Sequence, residues 1–447
     1  MLTQGVLALF AASPALAATI GGRYDSSVLK YSSRAIARTV RNCNTPAPPT
    51  VYFPLNFRYG SDQKITTDLV IPGTNKTMPV CFDQGSEDFW VAEPGAVLNW
   101  GAQYAGQVGP CNTSMSPVYD YSASPDATEP APYDYFNVYG GSSKYVLGNA
   151  TVDDTMVFTS VAGQQSTIAG IRTALTNLVS VRLEDESGHC EVTERVSNYD
   201  VGILGTAPFQ IGPGHITNGP HVRQQFLEQG TIKAAVQSMW MDERPHGIED
   251  TYTGGAIFGG IDLSKFTGPL VKVKSFPNVG DTVGYRVAKP IFSVQGKQIT
   301  TQSDVTRCFI DSGTRNDAIP IAFGQEEEFY KVTGLVESPT YQASWPGPCE
   351  SVPSNITIDM RFPGKANGTF VDIKVPLKNY VRADNGEEGL CRLNLYPSAG
   401  DCTLAAPFST AAFFAADDEN DEVAFAQGGI SKRGSGPDKD SIVLRIP

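Results

Sequence analysis

The sequence predicts an all-β chain of two homologous β lobes flanking a cleft. Three observations predict it. Only 18% of the 447 residues are charged, while Gly (44), Pro (31), Phe (22) and Tyr (18) abound. That balance favours many short strands joined by turns over long helices. Next, one pattern occurs once in each half. Asp83-Gln84-Gly85-Ser86 follows the apolar run Met78–Phe82, and Asp311-Ser312-Gly313-Thr314 follows Arg307–Ile310, with a Cys-Phe pair in both runs. At average composition Asp-x-Gly-Ser/Thr arises by chance roughly 0.2 times in a chain this long, so two well-placed copies mark a repeat. Lastly, each copy precedes a later apolar segment, Gly202-Ile203-Leu204-Gly205 in the first half and Leu404-Ala405-Ala406-Pro407-Phe408 in the second.

Taken in order, residues 1–17 read as a secretory signal peptide, with an apolar Gly5–Ala12 stretch and a small-x-small site at Ala15-Leu16-Ala17. Residues 18–49 carry Arg23, Lys30, Arg34, Arg38 and Arg41 against Asp25. They read either as a basic polar leader or as a short pro-segment drawn to an acidic cleft, with Pro46–Pro49 as linker. The N-terminal β lobe is expected over 50–268 and the C-terminal β lobe over 269–447.

From Val51 onward short apolar or alternating runs close on Gly, Pro and Asn, the signature of strands and turns. Val138-Tyr139-Gly140-Gly141 suggests a hairpin tip. Residues 221–240 give the clearest helical pattern, interrupted at Gly230, and 254–274 return to strand and turn. At 413–429 two apolar runs flank Asp-Asp-Glu-Asn-Asp-Glu, which reads as a solvated hairpin turn, because consecutive carboxylates lack calcium-loop spacing.

The composition also narrows function. A net charge of −13 without a basic block argues against nucleic acid. No later run of 18 apolar residues appears, so no membrane span is expected. Eight cysteines without a CxxC pair suggest disulfides rather than zinc. Sequons at Asn75, Asn112, Asn149, Asn355 and Asn367 offer glycosylation sites and, with the signal peptide, point to a secreted, extracellular protein. None of the four histidines (His189, His215, His221, His246) sits in a nucleophile motif, and no phosphate-binding glycine loop occurs. No cofactor and no metal are expected.

The paired loops carry their own chemistry. An aspartate ending a buried strand is desolvated. Glycine two residues on lets the backbone turn and aim N–H groups at the carboxylate, and the Ser or Thr after it can donate a further hydrogen bond. If the loops meet, two adjacent carboxylates share one proton. One can then act as base toward water while the other donates a proton to a carbonyl, which is peptide hydrolysis without metal or covalent intermediate. Two carboxylates also serve glycosidases, but that reading leaves the paired loops and Tyr139-Gly140 without a role.

Over residues 50–430 the sequence resembles the pepsin-like (A1) aspartic proteases, fungal secreted type. Asp83-Gln84-Gly85-Ser86 with Phe89-Trp90-Val91 resembles that family's first loop and its trailing Leu-Trp-Val, and Asp311–Thr314 resembles the second loop. Tyr139-Gly140 resembles the substrate flap, Asp200–Gly205 the segment beside the first loop, and Phe258–Asp262 the stretch leading out of the first lobe. Pro407-Phe408 and the hairpin up to Gln427 resemble the last strands. The resemblance implies the bilobal pepsin-like fold and an endopeptidase, monomeric, that takes a peptide or protein in extended form. Asp83 and Asp311 would be catalytic, Gly85, Ser86, Gly313 and Thr314 would orient them, and Trp90 would support Tyr139. Cys349 and Cys391 would form a disulfide, leaving six cysteines unassigned.

Four positions depart from the family pattern. Gln84 replaces a Thr or Ser whose hydroxyl helps clasp the loops together, and it must displace neighbours to fit. Ala405 replaces a glycine, Ser142 replaces a flap glycine, and Arg315 places a cation after the second loop. These departures raise an alternative, a catalytically weak or inactive protein of this fold that binds peptides or inhibitors.

Overall fold

The computed structural model describes residues 49–447 apart from 61–63, 72–75, 103–106, 141–143, 164, 182–189, 193–199, 209–218, 277–282, 339–342, 384–388 and 399. The signal peptide, nearly all of the basic leader, Asn75, Gly141, Ser142, His189 and His215 therefore lie outside the described residues. Strands dominate, as the composition predicted, and residues 47–447 form one compact unit.

The alternation read from the sequence is visible in single strands. In Val51–Arg58 the residues Val51, Phe53, Leu55 and Phe57 are buried while Pro54 and Arg58 are exposed. In Phe370–Pro376 the alternation is equally regular, with Val371, Ile373 and Val375 buried. Period-two burial puts one face on the core, and each large apolar side chain so covered contributes about 1.5–3 kcal/mol.

Fourteen strands form one sheet. Its middle runs Thr251–Phe258, Val51–Arg58, Thr66–Val70, Thr77–Asp83, Gly202–Gly205 and Phe89–Trp100. On the far side of Thr251–Phe258 it continues through Val236–Met241 to Ala412–Asp417, Glu422–Gln427 and Thr267–Val273. The C-terminal hairpin thus joins the sheet built mainly by the first half. The second half has its own six-stranded sheet, including Tyr285–Ala288, Arg307–Ile310, Thr403–Leu404 and Asp317–Pro320.

The repeat appears as the same local pairing in both halves. Thr77–Asp83 lies parallel to Gly202–Gly205, with Asp83 opposite Gly205. Arg307–Ile310 lies parallel to Thr403–Leu404, with Ile310 opposite Leu404. Each later strand also pairs antiparallel with the strand that comes after the aspartate loop, Phe89–Trp100 in one half and Asp317–Pro320 in the other. An aspartate therefore leaves the end of a buried strand between the same two neighbours twice.

Two expectations need correction. The 221–240 pattern is helical only over Val222–Glu228, and Val236–Met241 is a fully buried strand. Gly230, at φ +72°, ends the helix, and an apolar run buried on both faces carries no periodicity to distinguish strand from helix. The acidic turn at 417–422 is only partly solvated: Asp417 and Asp418 are buried. Asp418 accepts from the fully buried Arg223 at 2.9 Å and from the Tyr285 hydroxyl at 3.0 Å. The expected Cys349–Cys391 disulfide is present. The disulfides are Cys111–Cys190, Cys308–Cys402 and Cys349–Cys391, Cys81 is a buried free thiol, and Cys43 lies outside the described residues.

Asn112, Asn149, Asn355 and Asn367 are all exposed. Among the described residues no helix is long and apolar enough to cross a membrane.

Candidate active site

The two Asp-x-Gly loops face each other, and the glycines show how closely. A methyl group at Gly85 would lie 2.7 Å from Asp311 Cγ, and one at Gly313 would lie 2.4 Å from Asp83 Oδ1. Each backbone therefore lies against the opposite carboxylate, an approach only glycine allows. Within each loop the bonding is nearly identical. Gly85 N–H donates to Asp83 Oδ1 at 2.8 Å and Ser86 Oγ to Asp83 Oδ2 at 2.6 Å. Gly313 N–H donates to Asp311 Oδ1 at 2.9 Å and Thr314 Oγ1 to Asp311 Oδ2 at 2.6 Å.

Burial and, next, the charge of Asp83 push Asp311 well above the usual carboxylate range. Two carboxylates so placed hold one proton between them across the acidic range. The cation that pulls Asp311 back down is Lys64, a residue the sequence reading did not single out.

The loops are clasped from one side. Ser312 Oγ donates to the Phe82 carbonyl at 2.7 Å and accepts from the Gln84 N–H at 3.1 Å. Gln84 does not return the bonds. Its side chain is buried, and neither Oε1 nor Nε2 has a hydrogen-bond partner among the described residues. A buried amide without partners costs about 1–3 kcal/mol.

Ala405 fits without strain. It is buried with extended backbone at φ −103°, and its N–H donates to Asp317 Oδ1 at 2.7 Å. The corresponding Gly205 has no such room, since a methyl there would lie 2.4 Å from the Glu87 carbonyl carbon.

Strand Ala131–Tyr139 hairpins onto Lys144–Thr159, and Tyr139 pairs with Lys144 at the tip. Alternation exposes Phe136 and Val138 and turns Tyr135, Asn137 and Tyr139 inward. Trp90 Nε1 donates to the Tyr139 hydroxyl at 2.8 Å, and the Tyr135 and Tyr139 hydroxyls are 3.3 Å apart. Tyr135 in turn donates to the buried Asp88 at 3.0 Å, and Asn137 Nδ2 donates to the same Asp88 oxygen. Gly140 is exposed beside this tip.

Glu87 and Asp88 were missed from the sequence, although two acids directly behind the first loop were a visible signal. Burial, with the charge of Asp88, pushes Glu87 up to about 8. Burial pushes Asp88 up to about 6 against the pull of its Tyr135 and Asn137 hydrogen bonds.

Comparison with known proteins gives the family. A family model described as eukaryotic aspartyl protease matches residues 66–428. The chain belongs to that family. Secreted aspartic protease 5 of Candida albicans is 25% identical over 250 residues, which span 56% of this chain and 50% of the relative. Candidapepsin of Candida tropicalis is 24% identical over 290 residues, spanning 65% of this chain and 61% of the relative. Pepsin B of the dog is 25% identical over 191 residues, 42% of this chain and 43% of the relative. The chain thus matches about half to three-fifths of the length of the curated fungal relatives. With the family shown, the mostly-β architecture is the bilobal pepsin-like fold.

Proposed function

We propose that this aspartyl protease family member is a secreted, monomeric endopeptidase that cleaves peptides or proteins bound in extended form between lobes spanning 50–268 and 269–447. Asp83 and Asp311 activate a water between them. One carboxylate removes its proton as it attacks the scissile carbonyl, and the other donates a proton to the carbonyl oxygen; the shared proton then passes to the leaving amine. Gly85, Ser86, Gly313 and Thr314 hold the carboxylates in plane, and Tyr139, steadied by Trp90, covers the substrate beside Gly140. The observation that carries this reading is the mutual approach of each loop glycine to the opposite aspartate. The test is hydrolysis of a denatured protein at pH 3–5, blocked by a statine-type inhibitor. Asp83→Asn and Asp311→Asn should each lower kcat by about 10³-fold or more; activity retained in either overturns the assignment.

One observation favours a second reading, a weak or inactive peptide-binding protein of the same fold. Gln84 leaves its buried amide without a partner among the described residues, at the clasp that aligns the aspartates. On that reading the wild-type chain binds the inhibitor without hydrolysing protein, and Gln84→Thr restores turnover.

A further inference from the structure

Lys64, Lys144 and Asp200 come from separate segments and meet on the Tyr139 side of the aspartates. Lys64 Nζ lies 2.6 Å and Lys144 Nζ 2.5 Å from the same Asp200 oxygen, Oδ2. The Lys144 side chain is 2% exposed, and its ammonium sits 4.5 Å from the Tyr139 ring centroid and 5.8 Å from that of Trp90. The Lys64 side chain is 19% exposed against 2% for Lys144, so it is the less enclosed of the two. No other carboxylate pairs with either lysine among the described residues.

One carboxylate therefore serves two cations. Among the described neighbours the singly protonated aspartate pair offers one further negative charge, but it forms no ion pair with either lysine. Arg315 adds a further cation that repels Lys64. Burial, with the charge of Asp200, holds the Cys81 thiol protonated, and burial does the same for the Tyr139 phenol. The aspartate pair keeps a proton of its own, and Lys64 is the cation that bears on Asp311. A structural ion pair needs one lysine: Lys144 with Asp200 would be neutral and nearly dry. A second ammonium crowded onto the same oxygen is costly where water is scarce: burial and the charge of Lys64 pull Lys144 below the usual lysine range, and an arriving carboxylate would relieve the crowding.

We propose that Lys64, backed by Lys144 and Asp200, is a carboxylate-binding subsite, so that the cleft prefers peptides bearing a glutamate or aspartate side chain beside the two catalytic aspartates. This rests on the cleft receiving an extended peptide, as proposed above. Lys64 would donate to the side-chain carboxylate while Lys144 keeps Asp200 neutralised behind it. The preference belongs to the ionised side chain, so it operates above the ordinary glutamate range and vanishes near pH 3.

The test is binding, which does not require turnover. Peptides whose scissile amide is replaced by a methylene-amine are made in matched pairs, Glu against Gln, at each of three positions on either side. They are titrated by calorimetry at pH 5.5 into the full chain and into Lys64→Met and Lys64→Arg. At one position Glu should bind about tenfold more tightly than Gln to wild type. The ratio should fall to within about twofold in Lys64→Met, persist in Lys64→Arg, and disappear for wild type at pH 3. Equal binding of Glu and Gln peptides everywhere, or a ratio unchanged by Lys64→Met, overturns the subsite. So does a Lys64→Met that weakens both peptides equally while lowering Tm, since that is a structural role. So does failure of the whole set to bind. Hydrolysis is read separately on the unmodified peptides: a Glu preference without hydrolysis sinks the endopeptidase reading and leaves the subsite standing.

Discussion

The two aspartate loops are alike in everything that touches a carboxylate and unlike in what touches the other loop. Asp83 and Asp311 each accept from a glycine N–H and a hydroxyl at nearly equal distances. Ser312 then reaches across to the Phe82 carbonyl and the Gln84 N–H, whereas the Gln84 amide has no partner among the described residues. The repeat therefore keeps its carboxylate geometry with a one-sided clasp. Orientation of each carboxylate is local to its own loop, and the joining of the loops is a separate matter on which the halves can differ.

The strongest way to break the likeness is to add a methyl group at the point of closest approach. Gly313→Ala and Gly85→Ala should push the aspartates apart, since neither carboxylate can yield without losing its own hydrogen bonds. Activity should fall at least ~10²-fold, because misplacement by about 1 Å costs that much. Steady-state kinetics with a circular dichroism melt checks it; unchanged kcat would mean the carboxylates are not close in solution.

Ser312→Ala attacks the difference. It removes both bonds of the only working half of the clasp and leaves the buried Phe82 carbonyl short of a donor, so about 2 kcal/mol of stability should be lost. Denaturant unfolding measures this. Gln84→Thr runs the other way. Relieving the unpaired amide and supplying a hydroxyl should add about 1–2 kcal/mol and raise kcat. In that background Ser312→Ala should cost less than in wild type, because the loops would have a second link. A double-mutant cycle that comes out additive would mean the two positions do not share one clasp.

The loops also differ in the residues just beyond them, Glu87-Asp88 in the first and Arg315-Asn316 in the second. Glu87 is raised to about 8 and Asp88 to about 6. A carboxyl raised on folding adds stability that is complete below its unfolded value, near 4, and is lost as pH climbs through the folded value. Asp200, held low by Lys144 and Lys64 against burial, works oppositely and loses its contribution only as pH falls below about 4. Tm should therefore peak near pH 4 and decline toward pH 8, and Glu87→Gln should flatten the decline. A wild-type Tm that rises from pH 4 to 8 would contradict the buried state of Glu87. The smallest change is expected from Ala405→Gly. The methyl group is already accommodated, so glycine should only cost about 0.5–1 kcal/mol of backbone entropy, with kcat unaltered.

Much of this was legible because it is written in local chemistry. Asp-x-Gly-Ser/Thr behind an apolar run fixes a strand end, a sharp turn and a hydrogen-bonded carboxylate without knowledge of the rest of the chain. The inward set Tyr135, Asn137 and Tyr139 results from alternation. The hidden part depends on distance along the chain. Nothing near Gln84 says that its amide will find no partner, since the candidate groups lie more than two hundred residues away. Val236–Met241 is buried on both faces, so it lacks the pattern that would have separated it from the helix before it. Asp418 read as solvated because its neighbours are acidic and polar, while the arginine it meets stands in the first half. The helix Glu326–Thr333 had local signals, three glutamates in its first turn and Gly334 after its end, and it could have been found.

The Arg223–Asp418 pair bears on how the protein is made. Arg223 is fully buried and binds the Thr206 carbonyl at 2.9 Å, and Thr206 N–H in turn holds the Asp83 carbonyl at 2.7 Å. Its carboxylate partner is 195 residues further along, on the hairpin that completes the same sheet. On the ribosome the first half emerges with a buried cation still lacking its counter-ion and a sheet still lacking its last strands. An uncompensated buried charge costs about 3–5 kcal/mol, so the sheet of the first half cannot settle until the hairpin that carries Asp418 has been translated. A premature stop anywhere upstream of the hairpin would then leave an unfinished sheet, not a smaller working lobe, and a cell would clear it as misfolded chain.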